Sequence, residues 1–293
     1  TWGEPDQEEA PVRTNNPVLS RPDAFTPASQ QGYPQGFQPD AYYNPQQQGY
    51  APGQPQDTFN RQPAMAPQQV EGRMTIEDVI TKTAILLLIV VATAGVTMLL
   101  LPLQLLTPVA IVGSLVALVT VWIVSARRTI SVPAIFAYAV VEGVVIGAFS
   151  KLFEYMYPGI VLQAVLGTVV AAFVVLGAYK YLGARVRGRA AQIVVVSLIA
   201  YLIVSLINLA LLLFGVNLGW ATVGPQAGPI AWLAAGLGVG LAAASLLMDF
   251  DAIEQGIRIG APESESWRGA FGLTVTLIWL YTNILRILSF FRN

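Results

Sequence analysis

The sequence contains neither cysteine nor histidine among its 293 residues. Without cysteine, the chain has no disulfide framework and no thiol chemistry. Without histidine, it has no Ser-His catalytic pair and no histidine-ligated zinc or haem. These absences exclude most familiar catalytic and metal centres, so we expect a protein that is not an enzyme and that carries no bound cofactor.

Charged residues are also scarce, at 11% of the chain. A soluble domain carries roughly 25%. The net charge is −1, and no basic patch with interleaved aromatic residues indicates a nucleic-acid partner. Several apolar runs reach roughly 18 residues or more, which is the length of a membrane-spanning helix. The composition therefore predicts a polytopic helical protein that resides in a lipid bilayer.

Residues 1–72 differ in composition from the rest of the chain. They hold 12 of the 19 prolines together with many glutamine, glycine and tyrosine residues. Such a segment cannot bury an apolar core, so we predict a disordered cytoplasmic tail. No apolar core of a signal peptide appears within it. Weak self-association through tyrosine and glutamine is the alternative to a plain flexible tail.

Seven apolar segments follow the tail, within a predicted transmembrane domain at 73–293. Thr75 and Asp78 resemble a capping box and mark the start of the first helix. Each segment can cross roughly 30 Å of hydrocarbon at about 1.5 Å per residue. The predicted fold is all-α, with seven transmembrane helices at about 83–102, 108–126, 131–152, 158–181, 190–214, 228–250 and 268–291.

Lysine and arginine are concentrated in alternate connections between these segments. The connections at 103–107 and 215–227 contain none. By the positive-inside rule, the amino terminus is cytoplasmic, in a plasma (inner) membrane. Seven crossings place the carboxyl terminus outside, and a seventh segment that does not fully cross would reverse this. The basic residues are Arg73, Lys82, Arg127, Arg128, Lys180, Arg185, Arg187 and Arg189.

Acidic residues begin directly at the end of the sixth apolar segment, in the stretch "AAASLLMDFDAIEQG". Asp249 follows the apolar run without a polar spacer. If the helix continues, Asp249 and Asp251 project about 200° apart, so only one can face the helix bundle. The spacing alone does not choose between them. Both are candidate ligands for a weakly bound cation, because hard cations prefer oxygen ligands.

Two further charged residues lie within the apolar segments. Glu142 falls near the middle of the third, where a carboxylate is costly and normally faces protein or water. We predict a functional or helix-bonding role for it. Arg286 lies in the seventh segment, and extension of its side chain to the membrane interface and an inward-facing role are equally consistent with its position.

Glycines at four-residue spacing predict close helix contacts. One pair is Gly143 and Gly147 in the third segment, and the other is Gly236 and Gly240 in the sixth. Lining of a pore is the alternative role for such glycines.

Three motifs in fixed order connect the chain with a known family. They are "VVEGVVIG" in the third segment, "SLLMDFDAIEQG" ending the sixth and "LYTNILRILSFF" closing the seventh. With seven spans, they resemble the Bax-inhibitor (transmembrane Bax inhibitor motif) family over about residues 75–293. The opening "TNNPVLSR" resembles the actinobacterial branch.

The resemblance implies a function and a gate. Bacterial members of the family are described as pH-sensitive calcium leak channels. Their mechanism is assigned to an aspartate ending span six, which matches Asp249, and to an arginine ending span two, which matches Arg127 or Arg128. The family's second aspartate, in span seven, is replaced here by Thr276.

A carboxylate pair that shares a proton therefore cannot form. The resemblance instead implies a gate in which Asp249 pairs with an arginine, with Asp251 and Glu254 as its solvated surroundings. Such a gate is predicted to switch at a lower pH than a carboxylate pair, or hardly at all near neutrality.

A non-conducting regulator is the alternative function. Such a protein would use the tail to bind a membrane protease or another integral partner, as other members of the family do. A measurement of ion flux after deletion of the tail distinguishes the channel from the regulator, because a channel should keep its flux without the tail.

Overall fold

The computed structural model describes residues 72–127 and 130–292. The predicted tail up to residue 71 and Arg128 lie outside the described residues. Within them, the chain forms seven long helices and one short 3-10 turn at Leu103–Leu105. The helices are α1 (Ile76–Leu100), α2 (Leu106–Ala126), α3 (Val132–Met156), α4 (Ile160–Tyr181), α5 (Arg189–Leu213), α6 (Pro229–Arg258) and α7 (Glu265–Phe290).

All seven helices are long and apolar enough to cross a membrane, so the predicted all-α fold is confirmed. Thr75 caps α1 as predicted, because its hydroxyl accepts a hydrogen bond from the amide of Asp78 at 3.2 Å. The main difference from the predicted bounds is α6, which continues two turns beyond Asp249. It ends just before Gly260, whose φ of +67° is readily adopted by glycine after a helix.

Helix α7 lies at the centre of the bundle and packs against α1, α3, α4 and α6. Its buried positions include Thr274, Leu280 and Leu285. Helix α5 is peripheral and packs mainly on α6. The outer faces of α2, α4 and α5 carry large exposed apolar side chains, such as Trp122 and Phe173. In a bilayer, these faces meet lipid tails.

Close backbone approach occurs at one of the two predicted glycine pairs. A Cβ atom on Gly147 would lie 2.6 Å from the carbonyl oxygen of Ala94 in α1, and one on Gly143 would overlap Thr93. The packing prediction is confirmed there. It is wrong for Gly236 and Gly240, which have open space around them.

Helix α6 turns a different glycine toward its neighbour. A Cβ atom on Gly238 would collide with the side chain of Asn283 in α7. Because Gly238 lies two residues from both Gly236 and Gly240, it projects about 200° away from them. The small-residue spacing therefore marked the right helix but the wrong face.

The first described residues are attached to the connection between α6 and α7. The amide of Met74 donates to the carbonyl of Ala261 at 2.8 Å, and the amide of Glu263 donates to the carbonyl of Gly72 at 2.7 Å. The Met74 side chain is buried beside Gly256 of α6 and Gly269 of α7. Residues 72–74 thus belong to the packed domain, although sequence composition placed residue 72 in the tail.

Candidate functional site

Most charged residues of the described helices and connections lie at one end of the bundle, which we call the basic end. Helices α1, α3, α5 and α7 begin there, and α2, α4 and α6 end there. The acidic residues that follow the apolar part of α6 lie among these cations. The cations of the described helices and connections at this end are Arg73, Lys82, Arg127, Lys180, Arg185, Arg187, Arg189, Arg258 and Arg268.

Asp249 lines a cavity of about 320 Å³ at the basic end. Helices α2, α6 and α7 and the start of α3 form its walls, and Arg127, Arg268 and Thr276 also line it. The Thr276 hydroxyl donates a hydrogen bond to Oδ2 of Asp249 at 2.7 Å. This bond joins α6 to α7. Thr276 thus lies directly against Asp249, at the position where the resemblance placed the family's second aspartate.

The predicted ion pair between Asp249 and Arg127 is not formed. Among the salt bridges of the described residues, none includes Asp249. Arg127 ends α2 and lines the same cavity, so the two residues share a site without contact between their charges. We predicted that the gate switches at low pH, or hardly at all near neutrality. That prediction depended on the ion pair, so the structure gives it no physical basis. The other predicted partner, Arg128, is outside the described residues.

Asp251 occupies a different environment from the predicted one. Its side chain is only 8% exposed. Its Oδ1 accepts from Nη1 of Arg185 at 2.9 Å, and its Oδ2 accepts from Nε of Arg187 at 3.0 Å. A second nitrogen of Arg187 also donates to Oδ1. The prediction of a solvated Asp251 is therefore wrong, because the connection between α4 and α5 folds over it.

Glu254 extends the same cluster toward solvent. It accepts hydrogen bonds from Arg185 at 2.7 Å, from Arg258 at 2.7 Å and from the hydroxyl of Tyr179. The guanidinium of Arg185 also lies over the ring of Tyr179, 4.7 Å from its centroid. We call Tyr179, Arg185, Arg187, Asp251 and Glu254 the latch cluster. It ties the α4–α5 connection to the end of α6.

The two connection arginines are held in the charged form. The hydrogen bond to Glu254 and, to a smaller extent, the hydrogen bond to Asp251 raise the pKa of Arg185 above its already high ordinary value. The hydrogen bond to Asp251 raises the pKa of Arg187 in the same way. These arginines therefore act as fixed positive charges throughout the physiological pH range.

The structure does not support the predicted cation site at Asp249 and Asp251. Arginines engage both oxygens of Asp251, which leaves little room for a metal ion. In the part of the chain that the structure describes, no group of three or more acidic residues is placed to hold one. Asp249 alone offers a single carboxylate at the cavity wall, which suits passing contact with a cation better than tight binding.

The two other predicted residues are separate from this site. Glu142 is half-buried in α3, one turn after Tyr138. Arg286 faces inward at the opposite end of the bundle, where it donates to the carbonyl of Trp220 at 2.6 Å. It thereby holds the connection between α5 and α6. Neither residue lines the cavity at Asp249.

Comparison with known proteins agrees with this architecture. A family profile described as "Bax inhibitor 1 like" matches residues 16–293. The chain belongs to this family. A comparison with curated proteins finds no relative that matches. The match begins well before residue 75, so this Bax inhibitor 1-like protein shares family sequence beyond the span that its motifs indicated.

Proposed function

We propose that the protein is a leak channel for calcium or related cations, with a gate at Asp249. The observation that supports this is the Asp249 carboxylate at the wall of the basic-end cavity, bonded to Thr276. A carboxylate attracts a cation, and the bond connects α6 with α7, which we expect to separate when the gate opens. Arg127 and Arg268 line the same cavity, and Arg268 is paired with Glu265. Arg127 in particular opposes cation entry. A cavity that both attracts the cation through Asp249 and repels it through arginine suits a slow leak.

Replacement of Asp249 by asparagine tests the gate. The change keeps the shape and an oxygen acceptor for Thr276, but it removes the one acidic side chain among the described lining residues, so that the charged ones left are Arg127 and Arg268. We expect calcium flux to fall by about fivefold or more, because an attractive interaction of at least ~1 kcal/mol is lost. The measurement is calcium entry into proteoliposomes that contain the purified full-length protein.

Glu77→Gln provides the matched control. Glu77 is exposed in the first turn of α1, at the same end of the bundle. Its replacement removes the same charge without touching the cavity, so flux should stay within about twofold of wild type. Equal flux through wild type and Asp249→Asn would rule out the gate. Absence of flux through every variant, wild type included, would favour the non-conducting regulator.

Deletion of residues 1–71 separates the two functions more directly. A channel should retain its flux, whereas a regulator that binds a membrane protease through the tail should lose that partner. The deletion must stop before Gly72, whose carbonyl accepts the hydrogen bond from Glu263.

Replacement of Thr276 by aspartate should make the flux depend more steeply on pH than that of wild type. Two carboxylates at hydrogen-bonding distance share one proton at low pH and repel when both are ionised. The shared proton keeps α6 and α7 joined, so we expect flux through the variant to rise between about pH 5 and pH 8. Identical pH profiles of variant and wild type, measured in proteoliposomes, would contradict this.

We further propose that the basic end faces the cytoplasm and that the protein resides in the plasma (inner) membrane of a bacterium. The positive-inside rule supports this orientation. Because the chain has no cysteine, single cysteines can report it. Leu218→Cys should react with an impermeant maleimide on intact cells, whereas Leu182→Cys should react only after permeabilisation. Both positions are exposed, and the reverse pattern would invert the orientation.

A further inference from the structure

Helix α6 is attached to its surroundings on two sides near Asp249. On one side, Asp249 accepts the hydrogen bond from Thr276 of α7. On the other side, Asp251 is bonded to arginines of the α4–α5 connection. Both acids lie on one continuous helix and project about 200° from each other. Because a helix moves as a rigid element, α6 cannot leave Thr276 without also moving at Asp251.

Helix α4 connects these two sides. It packs against both α6 and α7. Near the end of α4, Tyr179 donates a hydrogen bond to Glu254 of α6, and its ring centroid lies 5.7 Å from that of Phe250. The latch cluster therefore joins α6 to a helix that is itself packed on α7, and it adds to the contacts that keep α6 beside α7.

The two arginines of the connection bind one face of α6. Asp251 and Glu254 share that face because they are one turn apart. Nη1 of Arg185 reaches both carboxylates, at 2.9 and 2.7 Å, and Arg187 engages Asp251. Because the Asp251 side chain is almost fully buried, its charge depends on these arginines for compensation. Movement of α6 away from the connection would leave that charge unpaired, which favours the position that α6 has in the structure.

The latch cluster is separate from the path of a cation through the cavity at Asp249. The described residues that line this cavity include no member of the cluster. Any effect of the cluster on ion passage must therefore be exerted through the position of α6. The two arginines are partly exposed, so dissolved ions can screen their attraction for the acids.

We propose that the latch cluster holds the gate closed. While the two arginines are bound to Asp251, the end of α6 stays beside α4 and α7, which preserves the contact between Asp249 and Thr276. Loss of these ion pairs allows α6 to move away from α7. The inference rests on the proposed channel function and adds a regulatory contact to the same gate, in which Arg185 and Arg187 are positioning residues.

A latch without charge tests this. The triple variant Arg185→Gln, Arg187→Gln, Asp251→Asn removes the charges on both sides, so that no unpaired charge remains buried at this position. The hydrogen bond from Tyr179 to Glu254 is left in place. We expect calcium flux into proteoliposomes to rise by about threefold or more, as when side chains that couple two sites are replaced. Flux equal to that of a conducting wild type would overturn the proposal.

Arg189→Gln is the matched control. Arg189 is exposed at the start of α5, at the same end of the bundle. Its replacement changes the net charge as much as the triple variant does, since the triple variant loses two positive charges and one negative charge. Flux should stay within about twofold of wild type. An increase as large as that of the triple variant would mean that flux follows the overall charge of the basic end, and the proposal would fail.

Ionic strength gives a readout that general loosening of the fold would not change. Raising KCl from about 50 to about 500 mM on both sides of the membrane weakens the attraction between partly exposed charges. Wild-type flux should therefore rise toward that of the triple variant, whose α4–α5 connection carries no charge. Screening at the cavity affects both proteins alike, so the ratio of the two fluxes reports the latch cluster. A ratio that does not change with salt would overturn the proposal.

A distance between two spin labels separates failure of this inference from failure of the channel. Because the chain has no cysteine, the pair Leu182→Cys and Ile259→Cys can be labelled specifically, and both positions are exposed. They cap the ends of α4 and α6. The distance, measured by electron paramagnetic resonance, should lengthen or broaden in the triple variant.

An unchanged distance would overturn the latch whether or not the protein conducts. A changed distance in a protein that passes no calcium, wild type included, would instead overturn the channel and with it the gating role, while the restraint on α6 would stand.

Discussion

The double variant Arg185→Gln, Arg187→Gln should unfold at a clearly lower temperature than wild type. It leaves the Asp251 side chain, which is 8% exposed, without a compensating cation, and removal of one partner of such a pair is destabilising. The loss is moderated because the two arginines are 31% and 50% exposed, so water can reach the site when they are gone. Gln255, which donates to Asp251 at 3.0 Å, remains as a neutral partner.

A third substitution separates lost charge pairing from general damage. Adding Asp251→Asn to the double variant removes the unpaired charge, so most of the lost stability should return. Arg258→Gln is the matched control, because it breaks only the exposed pair with Glu254 and should lower the unfolding temperature much less. Thermal unfolding in detergent provides the comparison. A triple variant no more stable than the double variant would show that the latch cluster does not act through the charge of Asp251.

Under the proposed channel function, replacement of Thr276 by valine should raise calcium flux by about tenfold or more. The change keeps the shape of the side chain and removes only the hydroxyl that bonds to Asp249. A hydrogen bond to a charged group contributes about 1.5–3 kcal/mol. Because about 1.4 kcal/mol corresponds to a factor of ten, even the lower of these values changes an equilibrium by about tenfold. If that bond holds α6 against α7 in the closed state, its loss favours the open state.

Thr274 offers a close control on the same helix. It is also buried, but its hydroxyl donates only to the carbonyl of Ala270 within α7. Thr274→Val should therefore leave flux near the wild-type value. Proteoliposomes with equal amounts of each protein allow direct comparison. A similar increase in both variants would show that the flux responds to general loosening of α7 and not to the contact with Asp249.

The sequence predicted the features that depend on local pattern. Apolar segment length identified all seven helices, because a spanning helix must satisfy its backbone hydrogen bonds internally. The family resemblance matched Asp249 and Thr276 to the two aspartates of the family's gate, and the structure brings their side chains into contact. The first inference relies on regular helical geometry and the second on the resemblance.

The latch cluster could not be predicted in this way. Its arginines lie more than 60 residues from Asp251, and their contact depends on the path of an irregular connection. Gly183 and Gly188 flank that path with φ values of +65° and +59°, which favour glycine. The predicted topology did place the basic α4–α5 connection and the acidic residues of α6 at the same end of the bundle. It indicated proximity but not which acid would be buried.

The attachment of residues 72–74 to the α6–α7 connection gives the protein a mechanical property. Tension on the chain ahead of Gly72 is carried first by the two backbone hydrogen bonds to Ala261 and Glu263. The load therefore reaches the turn between the helix that carries Asp249 and the helix that carries Thr276. A partner that binds the amino-terminal segment and pulls on it therefore applies force to this turn, although it does not contact the cavity.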